Sequence, residues 1–184
     1  KFGNFDDRVL FYESVGYNDF GTGSLLRYSL EEVTDIIDQA NYRGAFSGPA
    51  AFAGGTVLDL CDTAPYTPFV IADLIGCPTV SNGALSVAKT WTVRASDLGK
   101  GPLTVSSGSS LSFADGVTLE FADLDPSPKR SRKYPILRVE DGATLSGFPT
   151  LVNFPQGDDW KFVISEDGRQ CDLVCERGLM LLFR

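Results

Sequence analysis

The chain contains no histidine. That absence removes the Ser-His and Cys-His nucleophile pairs and every imidazole-based metal site at once. No apolar run approaches the roughly 20 residues that a membrane-spanning helix requires. Basic residues are outnumbered, 16 Lys and Arg against 24 Asp and Glu, for a net charge of −8. Such a balance argues against nucleic acid or an anionic membrane surface as the main partner, and membrane insertion is not expected.

What remains is ordinary globular material. The 184 residues are 43% hydrophobic and 22% charged, apolar enough to fold and long enough for one self-sufficient core. The opening Lys1-Phe2-Gly3 lacks an initiator Met and reads as a mature or trimmed product whose export signal has been removed. The one basic cluster, Lys129-Arg130-Ser131-Arg132-Lys133, follows Asp125-Pro126-Ser127-Pro128. It reads as a solvated loop, with a small patch for acidic glycans as the sharper alternative.

Four cysteines, Cys61, Cys77, Cys171 and Cys175, form an even set suited to an oxidising compartment, with three pairings available. On a strand, Cys171 and Cys175 share a face but stand roughly 13 Å apart, too far to bond each other. A Cys61–Cys77 bridge is the disulfide candidate, cross-pairing to the C-terminal cysteines stays open, and buried thiols acting as small hydrophobes are the alternative. The spacing fits no zinc knuckle, and neither a metal nor a cofactor is expected.

One helix is predicted. Ser29 and Glu32 make a capping box, and Leu26, Leu30, Val33, Ile37 and Ala40 recur at steps of three and four before Gly44 stops the run. Asp7 to Tyr12 reads as a strand ahead of it. Gly48-Pro49 to Gly54-Gly55 reads as a break.

Beyond Thr56, short apolar runs alternate with Gly, Asn and Asp. They are 56–60, 69–74, 85–87, 91–93, 103–105, 111–113, 117–121, 135–139 and 143–145, an all-β pattern. Several begin with glycine, a small residue and then alternating apolar positions, as in Gly83-Ala84-Leu85-Ser86-Val87 and Gly116-Val117-Thr118-Leu119-Glu120-Phe121. Such a loose repeat suits a solenoid, and a β-sandwich is the alternative. Trp160 to Ser165, the turn Glu166-Asp167-Gly168-Arg169 and Gln170 to Cys175 predict an antiparallel hairpin. Leu179 to Phe183 is a near-continuous apolar strand that suits a terminal cap or an assembly edge.

The run from Thr56 to Val87, with Leu58-Asp59-Leu60, Ile71-Ala72-Asp73-Leu74 and Val80-Ser81-Asn82-Gly83, resembles the autotransporter-associated β-strand repeat of large bacterial surface proteins. The ending from Trp160 to Arg184 is similar to the C-termini of such secreted repeat proteins. The resemblance implies a right-handed parallel β-helix passenger serving adhesion or display. Phe5 to Tyr12 with Arg27 to Val33 resembles the final strand and trailing helix of a laminin-G-like, concanavalin-type jelly roll, although Glu13 to Leu26 intervenes. That second resemblance implies a glycan-binding domain upstream, not a glycan site within these residues.

The expected architecture is therefore mainly β: a right-handed β-solenoid with one N-terminal amphipathic helix and an antiparallel C-terminal cap. Residues 1–47 form the strand-plus-helix segment, 48–157 the repeats and 158–184 the cap. The expected function is a secreted or cell-surface structural and adhesive module of bacterial type that self-associates or joins neighbouring subunits, rather than an enzyme. Leu179, Leu181 and Phe183 are its candidate assembly edge. The alternative is a carbohydrate-binding or polysaccharide-cleaving unit. Its candidate binding aromatics are Tyr17, Phe20, Tyr66 and Trp91. Asp59, Asp73, Glu120 and Asp123 are the carboxylates examined for glycoside cleavage, and Asp6-Asp7, Asp123-Leu124-Asp125 and Asp158-Asp159 for calcium. Alternating strands and turns explain these acids without a site, and no residue is assigned a catalytic role.

Overall fold

A computed structural model describes residues 18–20, 25–27, 45–60, 68–125, 131–154 and 159–176. Among them the regular structure is almost wholly β, with one short 3-10 turn at Ala95–Asp97 and no α-helix. The predicted helix lies mostly outside the described residues, as does the predicted strand at Asp7 to Tyr12. Leu26, assigned above to the helical stripe, instead sits in a strand. A three-residue strand offers too few positions for its period to compete with a chance step of four.

The strands are β1 (Asn18–Phe20), β2 (Leu25–Arg27), β3 (Ala45–Phe52), β4 (Val57–Asp59), β5 (Phe69–Gly76), β6 (Thr79–Ser81), β7 (Ala84–Arg94) and β8 (Leu103–Val105). They continue with β9 (Ser110–Phe113), β10 (Thr118–Ala122), β11 (Arg132–Val139), β12 (Thr144–Ser146), β13 (Thr150–Val152), β14 (Trp160–Ile164) and β15 (Gln170–Cys175). They form two sheets. The eight-stranded one runs β1-β3-β5-β7-β10-β13, with β9 beside β7 and β12 beside β9. The seven-stranded one runs β14-β15-β11-β8-β6-β4-β2.

From β1 to β8 the chain alternates between the sheets, each visit landing beside the last. Pairing is parallel throughout, except where β15 meets β11 and β14. Because parallel neighbours keep like positions in line, the inward residues stack. In the smaller sheet Leu58, Val80, Val105 and Val139 occupy one register line, all buried. In the larger, Leu74, Trp91 and Leu119 do the same, each 0% exposed. The alternation of apolar and polar residues in the sequence thus becomes layers of aliphatic side chains between two faces.

Two strands differ from the sequence pattern. The Gly48-Pro49 pair does not break the chain but lies inside β3, where the register with β5 shifts between Phe46 and Pro49. A bulge absorbs a residue that lacks an N–H to donate to the ladder. The separate runs at Leu85 and Trp91 are one 11-residue strand, β7. Its two halves pair with β9 and β10, and its register against β5 shifts between Ile71 and Asp73.

The glycine repeat has a local cause. Thr56, Ser109, Val117 and Ala143 each donate their N–H to the carbonyl three residues back, at 2.9–3.2 Å. The third residue of each turn is Gly55, Gly108, Gly116 or Gly142, at φ of 78–83°, which a side chain opposes. Gly76 is tighter still. At φ 92° its missing Cβ would stand 2.1 Å from the Phe52 carbonyl oxygen on the adjacent strand, and its own carbonyl accepts the Trp91 indole N–H at 3.0 Å. The substitution Gly76→Ala is expected to lower stability by about 1–2 kcal/mol from the backbone penalty alone, and by more once the clash is added. Chemical denaturation of the variant checks this, and an unchanged midpoint would contradict the close approach.

Candidate functional site

The carboxylates considered for sugar chemistry are dispersed. Asp73 stands on an outward register line that continues through Thr90, Thr118 and Thr150, and the Thr90 hydroxyl donates to Asp73 Oδ1 at 2.9 Å. Glu120 lies on the same face but two strands and two residues away. Strand spacing puts the two backbones roughly 12 Å apart, and Asp73 is engaged by Thr90. Asp59 belongs to the other sheet and is only 5% exposed. Asp123 is an exposed turn residue at φ 61°. These four are not brought together.

The calcium candidates fare similarly. Asp6-Asp7 and Asp158 lie outside the described residues. Asp125 contributes its backbone oxygen to the Trp160 indole N–H at 2.9 Å. No group of three or more acidic or cysteine ligands gathers among the described residues.

The binding aromatics divide. Tyr17 and Tyr66 lie outside the described residues, and Phe20 stands in β1 in register with Phe52. Trp91 is fully buried and stacks on Phe113 with ring centroids 5.7 Å apart. Its ring is core and is not presented to a sugar. Alternation within Thr90-Trp91-Thr92-Val93 carried that signal, since Trp91 and Val93 share the inward side.

Cys77 carries a free thiol, and Cys61, its candidate partner in a bridge, lies outside the described residues. Burial, and secondarily the nearby Asp97 carboxylate, push the Cys77 thiol up to about 12. Asp97 itself is held by Arg94 at 2.9 Å. Burial likewise lifts Cys171 to about 12. Cys171, Leu173 and Cys175 alternate along the buried side of β15, so these thiols fill space as small apolar groups. The basic cluster is not wholly a loop, because Arg132 and Lys133 begin β11. Lys133 Nζ reaches Asp172 at 2.8 Å, beside Gln170.

The surface that does stand out is apolar and terminal. Phe148, Val163 and Ile164 are the exposed large hydrophobics among the described residues, at 39–47% exposure. Phe148 lies between β12 and β13, the last strands of the larger sheet, and Val163 and Ile164 lie on β14, the outermost strand of the smaller one. The Phe148 ring is 6.3 Å from Phe162, which in turn lies 6.0 Å from Phe121 in the core. The exposed rings therefore continue the interior to the surface at one end of both sheets. Leu179, Leu181 and Phe183, the residues expected at an assembly edge, lie outside the described residues. Searches against family models, characterised proteins and solved structures gave no match to this chain. The terminal surface thus rests on its own geometry.

The thiols furnish a pH test with a definite sign. A Cys77 thiol raised from 9.0 to about 12 stabilises the fold fully below pH 9, and that contribution fades as pH climbs toward 12, because the unfolded thiol ionises first. The stability of the native chain relative to Cys77→Val should therefore fall on alkalinisation above about pH 9, and a pH-independent difference would contradict the buried thiol.

Proposed function

We propose that this chain is a right-handed β-solenoid acting as an extracellular structural and adhesive module, one that associates with copies of itself or with neighbouring subunits. The observation that carries the proposal is the in-register parallel ladder: among the described residues 11 of the 13 strand pairings are parallel. Sandwiches are built from antiparallel neighbours, whereas stacked coils are parallel by construction. Crossovers between parallel strands of one sheet are nearly always right-handed, which favours that hand.

A stack of coils has two ends, and each presents unpaired backbone and a slice of the core. The β14–β15 hairpin caps the smaller sheet with an antiparallel turn, yet leaves Phe148, Val163 and Ile164 in solvent. Heterologous contact through such an end would build a fibre or layer rather than a closed dimer. This role needs no catalytic residue, cofactor or metal. Neither nucleic acid nor membrane insertion enters it, and no helix among the described residues is long and apolar enough to cross a bilayer.

Light scattering across a concentration series, followed by electron microscopy of the heaviest fraction, tests the proposal. Ordered oligomers are expected, and Ile164→Lys with Val163→Lys should shift the mass toward monomer without loss of β signal. A strict monomer at all concentrations would overturn self-association as the role.

A further inference from the structure

Five asparagines occur in the chain, Asn4, Asn18, Asn41, Asn82 and Asn153, and only Asn82 precedes a glycine. Its position is unusual in two ways. Asn82 is exposed and adopts φ 55°, the left-handed conformation that asparagine tolerates better than most residues. Its side-chain Nδ2 also donates to Asp59 Oδ1 at 3.0 Å, across 23 residues of sequence. The bond sits where Asp59, the last residue of β4, pairs in register with Ser81, the last residue of β6. Leu60 N–H continues the same junction by donating to the Ser81 carbonyl at 2.9 Å. Asn82 is therefore a lock between two successive steps of the smaller sheet, and its receptor, Asp59, is 5% exposed.

We propose that Asn82-Gly83 is a site of spontaneous deamidation, and that the conversion turns this inter-strand lock into a repulsive contact. The reactant is water. The Gly83 backbone nitrogen, unscreened by a side chain, attacks Asn82 Cγ. A new C–N bond closes a five-membered imide as the Cγ–Nδ2 bond breaks, and the Gly83 N–H proton passes to the departing nitrogen, which leaves as ammonia. Water then adds to either imide carbonyl and reopens the ring, yielding aspartate or its backbone-extended isomer. No oxidant or reductant is consumed. The amide that donated to Asp59 is replaced by a carboxylate that only accepts, beside an acceptor it once satisfied. Two carboxylates at hydrogen-bonding separation disfavour each other's charged form and the geometry that holds them together. The isomer does further damage, since it lengthens the backbone where the left-handed turn sets the exit from β6. Exposure supplies the water, and the buried receptor converts a common chemical event into a structural one.

The test has two arms. Native protein is incubated at mildly alkaline pH and mapped by peptide mass spectrometry. Deamidation should appear at Asn82 ahead of the other four asparagines, and its absence there while others react would overturn the site. In the second arm, Asn82→Asp should lower the melting temperature by roughly 5 °C, more than Asn82→Gly, which loses the bond without adding charge. The exchange Asp59→Asn with Asn82→Asp puts an amide back opposite a carboxylate and should recover much of the loss. An Asn82→Asp protein as stable as Asn82→Gly, or an exchange variant no better than Asn82→Asp, would overturn the repulsion. If Asn82→Asp does not fold, the aged wild-type fraction separated by anion exchange provides the same comparison.

Discussion

Everything in this molecule depends on like positions of successive strands standing over one another. Parallel pairing imposes that condition, because a residue and its register partner project to the same side of the sheet. Leu58, Val80, Val105 and Val139 form such a line, as do Leu74, Trp91 and Leu119. The core is therefore a set of apolar columns rather than a set of distant contacts. A slip of one residue in any strand would turn its whole column outward. The bulges opposite Ala72, one in β3 before Pro49 and one in β7 before Thr90, show how the chain meets this demand when its sequence runs one residue long.

The same constraint governs the outer surface. Asp73, Thr90, Thr118 and Thr150 line up for the same geometric reason that the leucines and valines do. Branched hydroxyl residues suit a half-buried pleated surface and support each other across strands. Polar residues in line on a sheet are thus a product of the ladder, and alignment by itself marks no site. The terminal face differs, because among the described residues β12, β13 and β14 are the outermost strands there and apolar side chains stand in solvent.

Sequence reading recovered the strands whose alternation spans four or more residues, including β5, β10, β11 and the β14–β15 hairpin, whose Asp-Gly turn was plain. It missed β1, β2, β6 and β13, each of three residues; β4, β8 and β12 are equally short but were legible within the apolar runs 56–60, 103–105 and 143–145. Leu26 joined a helical stripe by spacing alone, and Gly48-Pro49 looked like a break because composition does not reveal a bulge. Trp91 stands among the candidate binding aromatics by residue type, although its neighbours Thr90 and Thr92 mark it as inward. The Asp59–Asn82 lock and the separation of Asp73 from Glu120 were beyond linear reading, since both depend on which strands become neighbours. Cysteine count suggested a bridge, but the number of cysteines carries no information about burial, and burial makes Cys77 an inert apolar group.

The parallel ladder can be measured directly. Nitroxide labels at Thr90→Cys and Thr150→Cys, in a Cys61→Ser background, would sit in one outward line two strand spacings apart, roughly 10 Å between backbones. Strong dipolar broadening in the electron paramagnetic resonance spectrum is predicted for the doubly labelled protein relative to the sum of the single labels. A spectrum equal to that sum would place residues 90 and 150 far apart and contradict the stacked, in-register architecture.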